Sequence, residues 1–280
     1  MKRVPAQEIA SSIADLCIQA CTVLPPDVVA ALAEAREREQ SPVGREILAR
    51  LIENSSIAAE EGIPICQDTG IVVVFVQIGD EVRVTGGRLR DAIAEGVRQG
   101  YDRGYLRKSL VVSPLDRRNT GDNTPPVIHT EAIPGDSLKI TVAAKGAGSE
   151  NMSRLRMMAP ADGMEAVKQF VVESVENAGA SACPPLVIGV GLGGTFEQCA
   201  LIAKQALIRP LSQRSSEPAA AAMEMALLAL VNATGIGPMG VGGTITALAV
   251  NVETRPCHIA SLPVAVNLQC HAARHASSEW

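Results

Sequence analysis

The sequence predicts a mixed α and β fold (α+β or α/β), with a helical N-terminal region followed by a central sheet that is flanked by helices. Apolar residues recur at helical spacing over the first sixty positions, and short β-branched runs then alternate with helical stretches. The chain has 280 residues, of which 47% are hydrophobic, so it can bury a sizeable core. Neither a repeat nor a linker is visible. We therefore expect a single compact domain at 1–280, with helices filling 1–62 and the functional groups in 63–280.

The first half of the chain predicts four helices and two strands. Ile9, Ile13 and Leu16 share one helical face, and Pro26 suits the start of a second helix. Glycine and proline end the third helix, and the β-branched run that follows is long enough for a buried strand. The other predicted elements are a third helix around 47–52, a strand at 71–78, a helix at 87–101 and a strand at 137–144. A connection rich in Pro, Asp, Asn and Thr at 109–127 joins the last two.

The second half predicts strand, turn and helix junctions. Pro184 and Pro185 stop the preceding segment, and an apolar run then leads into a glycine-rich turn. A later segment rich in Ala, Met and Leu has helical composition. The predicted elements are helices at 164–175, 196–207 and 217–232, strands at 186–190, 245–252 and 259–266, and glycine-rich turns at 191–195 and 235–243.

Composition excludes several classes of function. The net charge of −5 gives no general basic field, so neither nucleic acid nor anionic lipid is an expected partner. The apolar runs are shorter than the roughly 20 residues of a membrane span, and the N-terminus lacks the apolar stretch of a signal peptide. Seven scattered cysteines fit reduced thiols or metal ligands better than a disulfide framework. We expect a cytoplasmic protein without a membrane segment.

The glycine-rich turns suggest an anion site, because glycine lets backbone N–H groups approach a ligand closely. Residues 189–194 also fit the G-x-G-x-x-G pattern of dinucleotide-binding folds. That pattern falls late in the chain, however, and Arg214 and Ser215 stand near the position of the expected ribose-binding acid. A nucleotide-binding oxidoreductase is therefore an alternative, and a non-catalytic binding protein is another.

The cysteines divide into two groups by context. Cys17, Cys21 and Cys199 lie on predicted helices, where a thiol is usually a small buried apolar group. Cys66, Cys183 and Cys270 lie in loops with Gly, Pro or His neighbours, where thiolates can face a metal centre; Cys257 fits either group. The absence of C-x-x-C pairs disfavours zinc knuckles and ferredoxin-type clusters. Three separated thiolates could instead hold a cubane cluster with one iron open to a ligand.

Two further side chains are candidates for chemistry. His258 precedes Cys270 by twelve residues, at the start of a predicted strand, so both could face one site. Asp68 is either a catalytic carboxylate or a turn-capping residue before Thr69 and Gly70. The residues alone leave both interpretations of Asp68 open.

Four motifs, in this order, resemble the class I fumarate hydratase and tartrate dehydratase family over nearly the whole chain. They are Ile65-Cys-Gln-Asp-Thr-Gly70, Lys145-Gly-Ala-Gly-Ser-Glu-Asn-Met-Ser153, Ala182-Cys-Pro-Pro-Leu-Val-Ile-Gly-Val-Gly191 and Leu262-Pro-Val-Ala-Val-Asn-Leu-Gln-Cys-His271. The resemblance implies a [4Fe-4S] cluster held by Cys66, Cys183 and Cys270, with one iron that no protein group ligates. That iron would coordinate a C4 dicarboxylate.

The resemblance also implies roles for further residues. Gln67 and Asp68 would face the substrate, with Asp68 as general acid or base. Arg107 would pair with a carboxylate, for which a guanidinium is better suited than an ammonium group. The remaining implied substrate contacts are a backbone N–H of Gly146 or Gly148 and the side chain of His258, which is also a catalytic candidate.

The same resemblance implies a second protein. Family members that work as single chains continue for about another domain beyond the last cysteine motif, whereas this chain stops ten residues after Cys270. It therefore resembles a separate α subunit, and we expect a β subunit that completes the site in an α2β2 hetero-oligomer. The expected reaction is reversible hydration of fumarate to malate, which the 145–153 loop favours; dehydration of L-tartrate and hydration of mesaconate are the alternatives.

Overall fold

The computed structural model describes residues 1–280 and confirms the mixed α and β fold. The eight α-helices are α1 Ala6–Thr22, α2 Pro26–Arg38, α3 Pro42–Glu61, α4 Leu89–Arg103, α5 Ala147–Glu150, α6 Gly163–Ala178, α7 Phe196–Ala206 and α8 Pro218–Asn232. The ten strands are β1 Lys2–Pro5, β2 Ile71–Gly79, β3 Val82–Thr85, β4 Val127–Ile133, β5 Leu138–Lys145, β6 Arg154–Met158, β7 Leu186–Gly193, β8 Ala247–Arg255, β9 Leu262–Gln269 and β10 His275–Glu279.

The chain divides into two compact units that each combine segments distant in sequence. Unit 1 comprises Met1–Pro25, Ser55–Ala147 and Arg274–Trp280, and unit 2 comprises Pro26–Asn54 and Gly148–Ala273. Two of the crossings fall inside α3 and α5 rather than in a linker. This continuity explains why composition reveals no boundary. Each unit has a four-stranded sheet of its own, where the sequence had predicted one central sheet.

Unit 1 is built around the sheet β10-β5-β2-β4, in which β4 runs parallel to β2 and the other pairs are antiparallel. Alternate residues of β2, namely Val72, Val74 and Val76, are buried in one core with the apolar faces of α1 and α4. Burying each such side chain contributes about 1.5–3 kcal/mol. The first residues, expected to be helical, instead form β1, which pairs in parallel with β3.

The stretch Ala6–Arg38 is long and apolar enough, by length and composition alone, to pass as a membrane span. In the structure it is two helices, because α1 ends at Thr22 and α2 begins at Pro26. Ile9 and Ile13 of α1 are fully buried in the core of unit 1. Packing in that core accounts for the apolar composition of α1.

Unit 2 is built around the sheet β6-β9-β7-β8, with β7 parallel to β8 and antiparallel to β9. Leu186, Ile188 and Val190 of β7 are buried with α6 and α8, whereas the intervening residues face α7. Because strand side chains alternate between the two faces of a sheet, the glycines at 189 and 191 fall on the α7 face. Helices therefore cover both faces of β7.

The G-x-G-x-x-G pattern is explained by this packing, and the prediction of a glycine-rich turn beginning at 191 is wrong. A dinucleotide fingerprint needs its first glycines in the turn between strand and helix. Here the strand extends to Gly193 and is hydrogen-bonded on both sides. A Cβ at Gly189 would lie 2.0 Å from the Ala203 carbonyl oxygen, and one at Gly191 would lie 2.2 Å from that of Cys199. The glycines let α7 pack closely on the sheet.

Gly191→Ala is expected to lower the free energy of unfolding by about 1–3 kcal/mol, because the added methyl group forces α7 away from β7. Denaturant unfolding followed by circular dichroism measures this change. The wild-type chain should also show no retention on a nucleotide resin. A Gly191→Ala chain with unchanged stability would contradict the close packing described for α7.

Glu39 fixes the loop that precedes β8. The side chain is only 2% exposed, and its carboxylate accepts hydrogen bonds from the N–H groups of Ser41, Thr244 and Ile245. Burial by itself would raise the pKa of Glu39, but these N–H groups and the Thr244 hydroxyl together lower it. At the other end of the same loop, the Met239 N–H donates to the Pro184 carbonyl at 2.7 Å, next to Cys183.

Glu39→Gln is expected to lower the free energy of unfolding by about 1–3 kcal/mol at pH 7, since charge-assisted hydrogen bonds are lost. A carboxyl group whose pKa is lowered by folding stabilises the protein above its unfolded pKa of about 4.3, and this contribution is lost as the pH falls through the folded pKa. The difference between wild type and variant should therefore shrink from pH 7 to pH 3. Glu34→Gln, on the exposed face of α2, is the control, with an expected change below about 0.5 kcal/mol.

Candidate functional site

Residues 66–70, the Asp68 turn, join the end of α3 to β2 in unit 1 and carry three of the predicted site residues. The Ile65 N–H donates to the Cys21 carbonyl of α1 at 2.9 Å. The Tyr101 hydroxyl of α4 donates to the Thr69 carbonyl at 2.7 Å. Both helices belong to the core of unit 1, so well-packed elements fix the position of the turn.

The Asp68 carboxylate makes more contacts than a turn cap requires. One oxygen accepts the Gly70 N–H at 3.0 Å, which is the capping interaction that the sequence left open. The other oxygen accepts the Ala147 N–H at 2.8 Å, just beyond the end of β5. A Cβ at Gly146 would lie 3.3 Å from this second oxygen. Asp68 and Gly146 are therefore neighbours, and the observed N–H donor to the carboxylate is that of Ala147.

Gln67 belongs to the Asp68 turn, and Arg107 lies beside it. The Cys66 thiol donates to the Gln67 side-chain oxygen at 3.4 Å. The Arg107 carbonyl accepts the Thr69 hydroxyl at 2.8 Å, while the Arg107 side chain is exposed. Five of the predicted residues thus gather around the Asp68 turn in unit 1, namely Cys66, Gln67, Asp68, Arg107 and Gly146.

Cys183 and Cys270 lie at one end of the β7 and β9 ladder in unit 2. Val187 pairs with Gln269, so Cys270 follows β9 at the level where β7 begins. The Cys183 carbonyl accepts the His271 N–H at 3.3 Å and also contacts the imidazole Nδ1 at 3.2 Å. The two loops that carry the thiols are therefore joined through their backbones.

Gly148 lies at this same end of unit 2. A Cβ at Gly148 would lie 3.3 Å from the carbonyl of Ser181, two residues before Cys183. Its segment is held by a polar network, in which Lys204 of α7 pairs with Glu150 at 2.6 Å and Asn267 of β9 donates to Glu150 at 2.9 Å. Gly148, Cys183 and Cys270 are thus neighbours within unit 2.

Within unit 2, His258 and Cys270 lie at opposite ends of β9. The Gly194 N–H donates to the Pro256 carbonyl, which places the segment before β9 at the far end of β7 from Cys183. His258 precedes β9 and Cys270 follows it, so the whole strand of eight residues separates them, about 27 Å at the usual rise. The His258 ring is exposed and accepts the Ala260 N–H at 3.1 Å.

The remaining cysteines behave as the sequence analysis expected. Cys17, Cys21 and Cys199 are buried, and burial raises the pKa of Cys21 and of Cys199 to about 11 in each case. Those thiols stay protonated at neutral pH and are poor metal ligands. Cys257 is exposed beside His258, and its thiol donates to the Ser261 carbonyl at 3.3 Å.

Cys66, Cys183 and Cys270 fit a cubane cluster by their chemistry. No disulfide links any of the seven cysteines, and these three are the partly exposed ones, each in a loop. Cys66 belongs to unit 1 and the other two to unit 2. No three His, Cys, Asp or Glu side chains converge on a point where a single metal ion could bind. A cubane cluster differs from such a site, because each thiolate ligates a separate iron.

Sequence reasoning missed three residues that shape the Asp68 turn. Arg274 donates to the Asp68 carbonyl at 2.6 Å, and Tyr101 and Asn123 both donate to the Gly70 carbonyl, at 3.2 Å each. Arg274 follows Cys270 by four residues, and that proximity was the one signal available in the sequence. Tyr101 and Asn123 lie far from every motif, and only the fold brings them to the turn.

Comparisons with known proteins found a family model and relatives that match nearly the whole chain. Residues 10–279 match the sequence model of the family described as "Fumarate hydratase (Fumerase)". A Methanocaldococcus jannaschii protein, provisionally named as an L(+)-tartrate dehydratase subunit alpha, is 42% identical over 275 residues that cover 96% of each chain. The L(+)-tartrate dehydratase subunit alpha of Escherichia coli strain K12 is 31% identical over 277 residues, which cover 98% of this chain and 91% of that protein.

Proposed function

Because the chain belongs to the fumarate hydratase (Fumerase) family, we propose that it is the α subunit of an iron-sulfur hydro-lyase that acts on a C4 dicarboxylate. The protein is an enzyme of the hydro-lyase type. The observation that carries the proposal is the Asp68 turn, where a carboxylate, an exposed arginine and a half-buried thiol adjoin in unit 1. The carboxylate suits proton transfer and the arginine suits binding of an anionic substrate.

The cofactor we propose is a [4Fe-4S] cluster held by Cys66, Cys183 and Cys270. Their partial exposure and loop positions support this choice over the buried cysteines. When bound, the cluster would supply one iron that is open to substrate oxygen atoms and acts as a Lewis acid. Reduced thiols of this kind suit a cytoplasmic location, which is part of the proposal.

Residues in the Asp68 turn and others outside it would bind the substrate and transfer the proton. Arg107 binds one substrate carboxylate, Gln67 contacts the substrate, and the glycines at 146 and 148 leave room for close approach of the backbone. Asp68 moves a proton at its carboxylate as general acid or base. Negative charge that develops on the substrate is then stabilised by fixed donors. His258 remains a proposed substrate contact and catalytic candidate, although within unit 2 it lies at the opposite end of β9 from Cys270.

Fumarate is the first candidate substrate, and L-tartrate is the second. The family description names fumarate hydratase, and the 145–153 loop favours that reaction. The relatives that match over nearly the whole chain are named tartrate dehydratases, which supports the second candidate. Both reactions add or remove water at adjacent carbons of a C4 dicarboxylate, so one set of residues suits either.

The proposal includes a β subunit that completes the active site, in an α2β2 assembly with this chain. The names of the relatives as α subunits support a partner of that kind. Catalysis by this chain alone is therefore expected to be absent.

The experiment is an activity assay after anaerobic iron-sulfur reconstitution, with and without the proposed β subunit. Fumarate, mesaconate and L-tartrate are compared by following loss of the unsaturated acids or formation of oxaloacetate. Activity on one of them that depends on both iron and the β subunit would support the proposal. A colourless complex that is inactive on all three substrates would refute it.

A further inference from the structure

Arg274 is a buried cation whose guanidinium is hydrogen-bonded to a backbone carbonyl and to no carboxylate. Its side chain belongs to unit 1, and the residue is only 4% exposed. One guanidinium nitrogen, Nη1, donates to the Asp68 carbonyl at 2.6 Å. The Nε nitrogen is buried and has no hydrogen-bond partner. A cation in this setting is costly, because burial removes its hydration.

Among Asp68, Cys21 and Tyr101, the groups near Arg274, only Asp68 is a carboxylate, and its carboxylate is not hydrogen-bonded to the guanidinium. The Asp68 carboxylate is already hydrogen-bonded to the N–H groups of Gly70 and Ala147. Burial raises the pKa of Cys21 to about 11, although the positive charge of Arg274 acts in the opposite direction. Burial also raises the pKa of Tyr101 well above its ordinary value, again against the effect of Arg274. Both of those side chains are therefore neutral at pH 7.

The space beside the guanidinium is kept open by a glycine. A Cβ at Gly146 would lie 3.1 Å from Nη2 of Arg274 and 3.3 Å from Oδ2 of Asp68, the oxygen that accepts the Ala147 N–H. Any side chain at position 146 would therefore crowd both groups. The result is a narrow gap with a cationic donor on one side and a carboxylate on the other.

We propose that Arg274 binds a carboxylate oxygen of the small dicarboxylate substrate through Nη2, next to Gly146 and Asp68. This inference rests on the proposed function and adds a residue to the same site. A dicarboxylate carries two anionic groups, and Arg107, at the surface beside the Asp68 turn, is available for the other one. A bound carboxylate would accept a charge-assisted hydrogen bond from Nη2, and such hydrogen bonds are among the stronger ones in proteins.

Succinate is the probe, because it has two carboxylates but neither the double bond nor the hydroxyl group that turnover needs. Its Kd is measured by titration calorimetry on the complex with the β subunit, before and after cluster reconstitution. Arg274→Gln keeps a donor for the Asp68 carbonyl and removes the charge; we expect the Kd to rise about tenfold to a hundredfold. Arg274→Lys should recover part of the affinity, and Gly146→Ala should weaken binding while the charge stays. Arg103→Gln, from an exposed ion pair with Asp15, is the control.

The variants separate this role from the alternatives. Unchanged succinate affinity in Arg274→Gln, whether or not the absorbance of the cluster shifts, would overturn the proposal. Weakened binding in Arg274→Met but not in Arg274→Gln would also overturn it, because methionine removes the hydrogen bond to the Asp68 carbonyl whereas glutamine keeps a donor. Arg274 would then serve only to make that hydrogen bond. A wild-type complex that does not bind succinate overturns it as well. If wild type binds succinate through Arg274 but takes up no iron and has no hydro-lyase activity, the proposed function fails while this inference stands.

Discussion

Replacing Cys66, Cys183 or Cys270 with serine in the reconstituted complex is expected to reduce hydro-lyase activity to background and to remove the absorbance near 400 nm. A hydroxyl group is a much poorer ligand for iron than a thiolate, and each of the three thiols would hold a separate iron. Iron content per chain, absorbance and activity are measured on the same anaerobic samples. Each single substitution should have nearly the full effect, because a cluster that loses a ligand is labile.

Two other cysteines are matched controls for this prediction. Cys257→Ser changes an exposed thiol, and Cys199→Ala changes a buried thiol that donates to the Gly191 carbonyl. Both variants should keep iron and activity, although Cys199→Ala is expected to be less stable. Iron retention in Cys66→Ser, or iron loss in Cys257→Ser, would show that the ligand set has been assigned incorrectly.

The division of the cysteines into buried thiols and loop thiols could be predicted from the sequence, because the residues around each cysteine indicate whether it lies on a packed helix or in a loop. A thiol on an apolar helical face is buried by the packing of that face, as Cys17 and Cys21 are. A thiol between Gly, Pro and His residues lies in a loop, as Cys66 and Cys183 do. The strands β2 and β7 were predicted for a similar reason, since both lie inside their sheets and are apolar over most of their length.

The elements that the sequence did not predict lie mostly at edges. β4 and β10 flank the sheet of unit 1 and carry polar residues such as His129, Thr130 and Ser277. An edge strand needs apolar residues on at most one face, so its pattern resembles that of a loop. β1 and β3 are only four residues each, too short for a periodic signal.

The separation of His258 from Cys270 could not be predicted, because the sequence does not show whether the residues between them form a hairpin or one extended strand. Twelve residues would bring two side chains close together if a hairpin intervened, but β9 is one continuous strand. The role of Arg274 was hidden for a different reason. Its partners are the Asp68 carbonyl and the gap beside Gly146, which are more than a hundred residues away in the chain.

Asp68→Asn is expected to lower kcat about a hundredfold to ten-thousandfold with an unchanged amount of cluster, because proton transfer at the carboxylate is lost. KM should change much less, since Arg107 and Arg274 carry the proposed carboxylate contacts. Asparagine also turns an N–H group toward one of the two donors, Gly70 or Ala147, so unfolding must be measured alongside kinetics.

Asp80→Asn is the matched control for Asp68→Asn, because the Asp80 carboxylate accepts only a backbone N–H, from Gly135, at an exposed turn. It should lose a similar amount of stability and no activity. Asp68→Glu keeps the carboxylate but moves it, so it should retain more kcat than Asp68→Asn if Asp68 transfers the proton. Equal losses in kcat for the two Asp68 variants, with a matching loss of stability, would instead assign Asp68 to holding the turn. The two interpretations of Asp68 therefore predict different relative values of kcat for Asp68→Glu and Asp68→Asn.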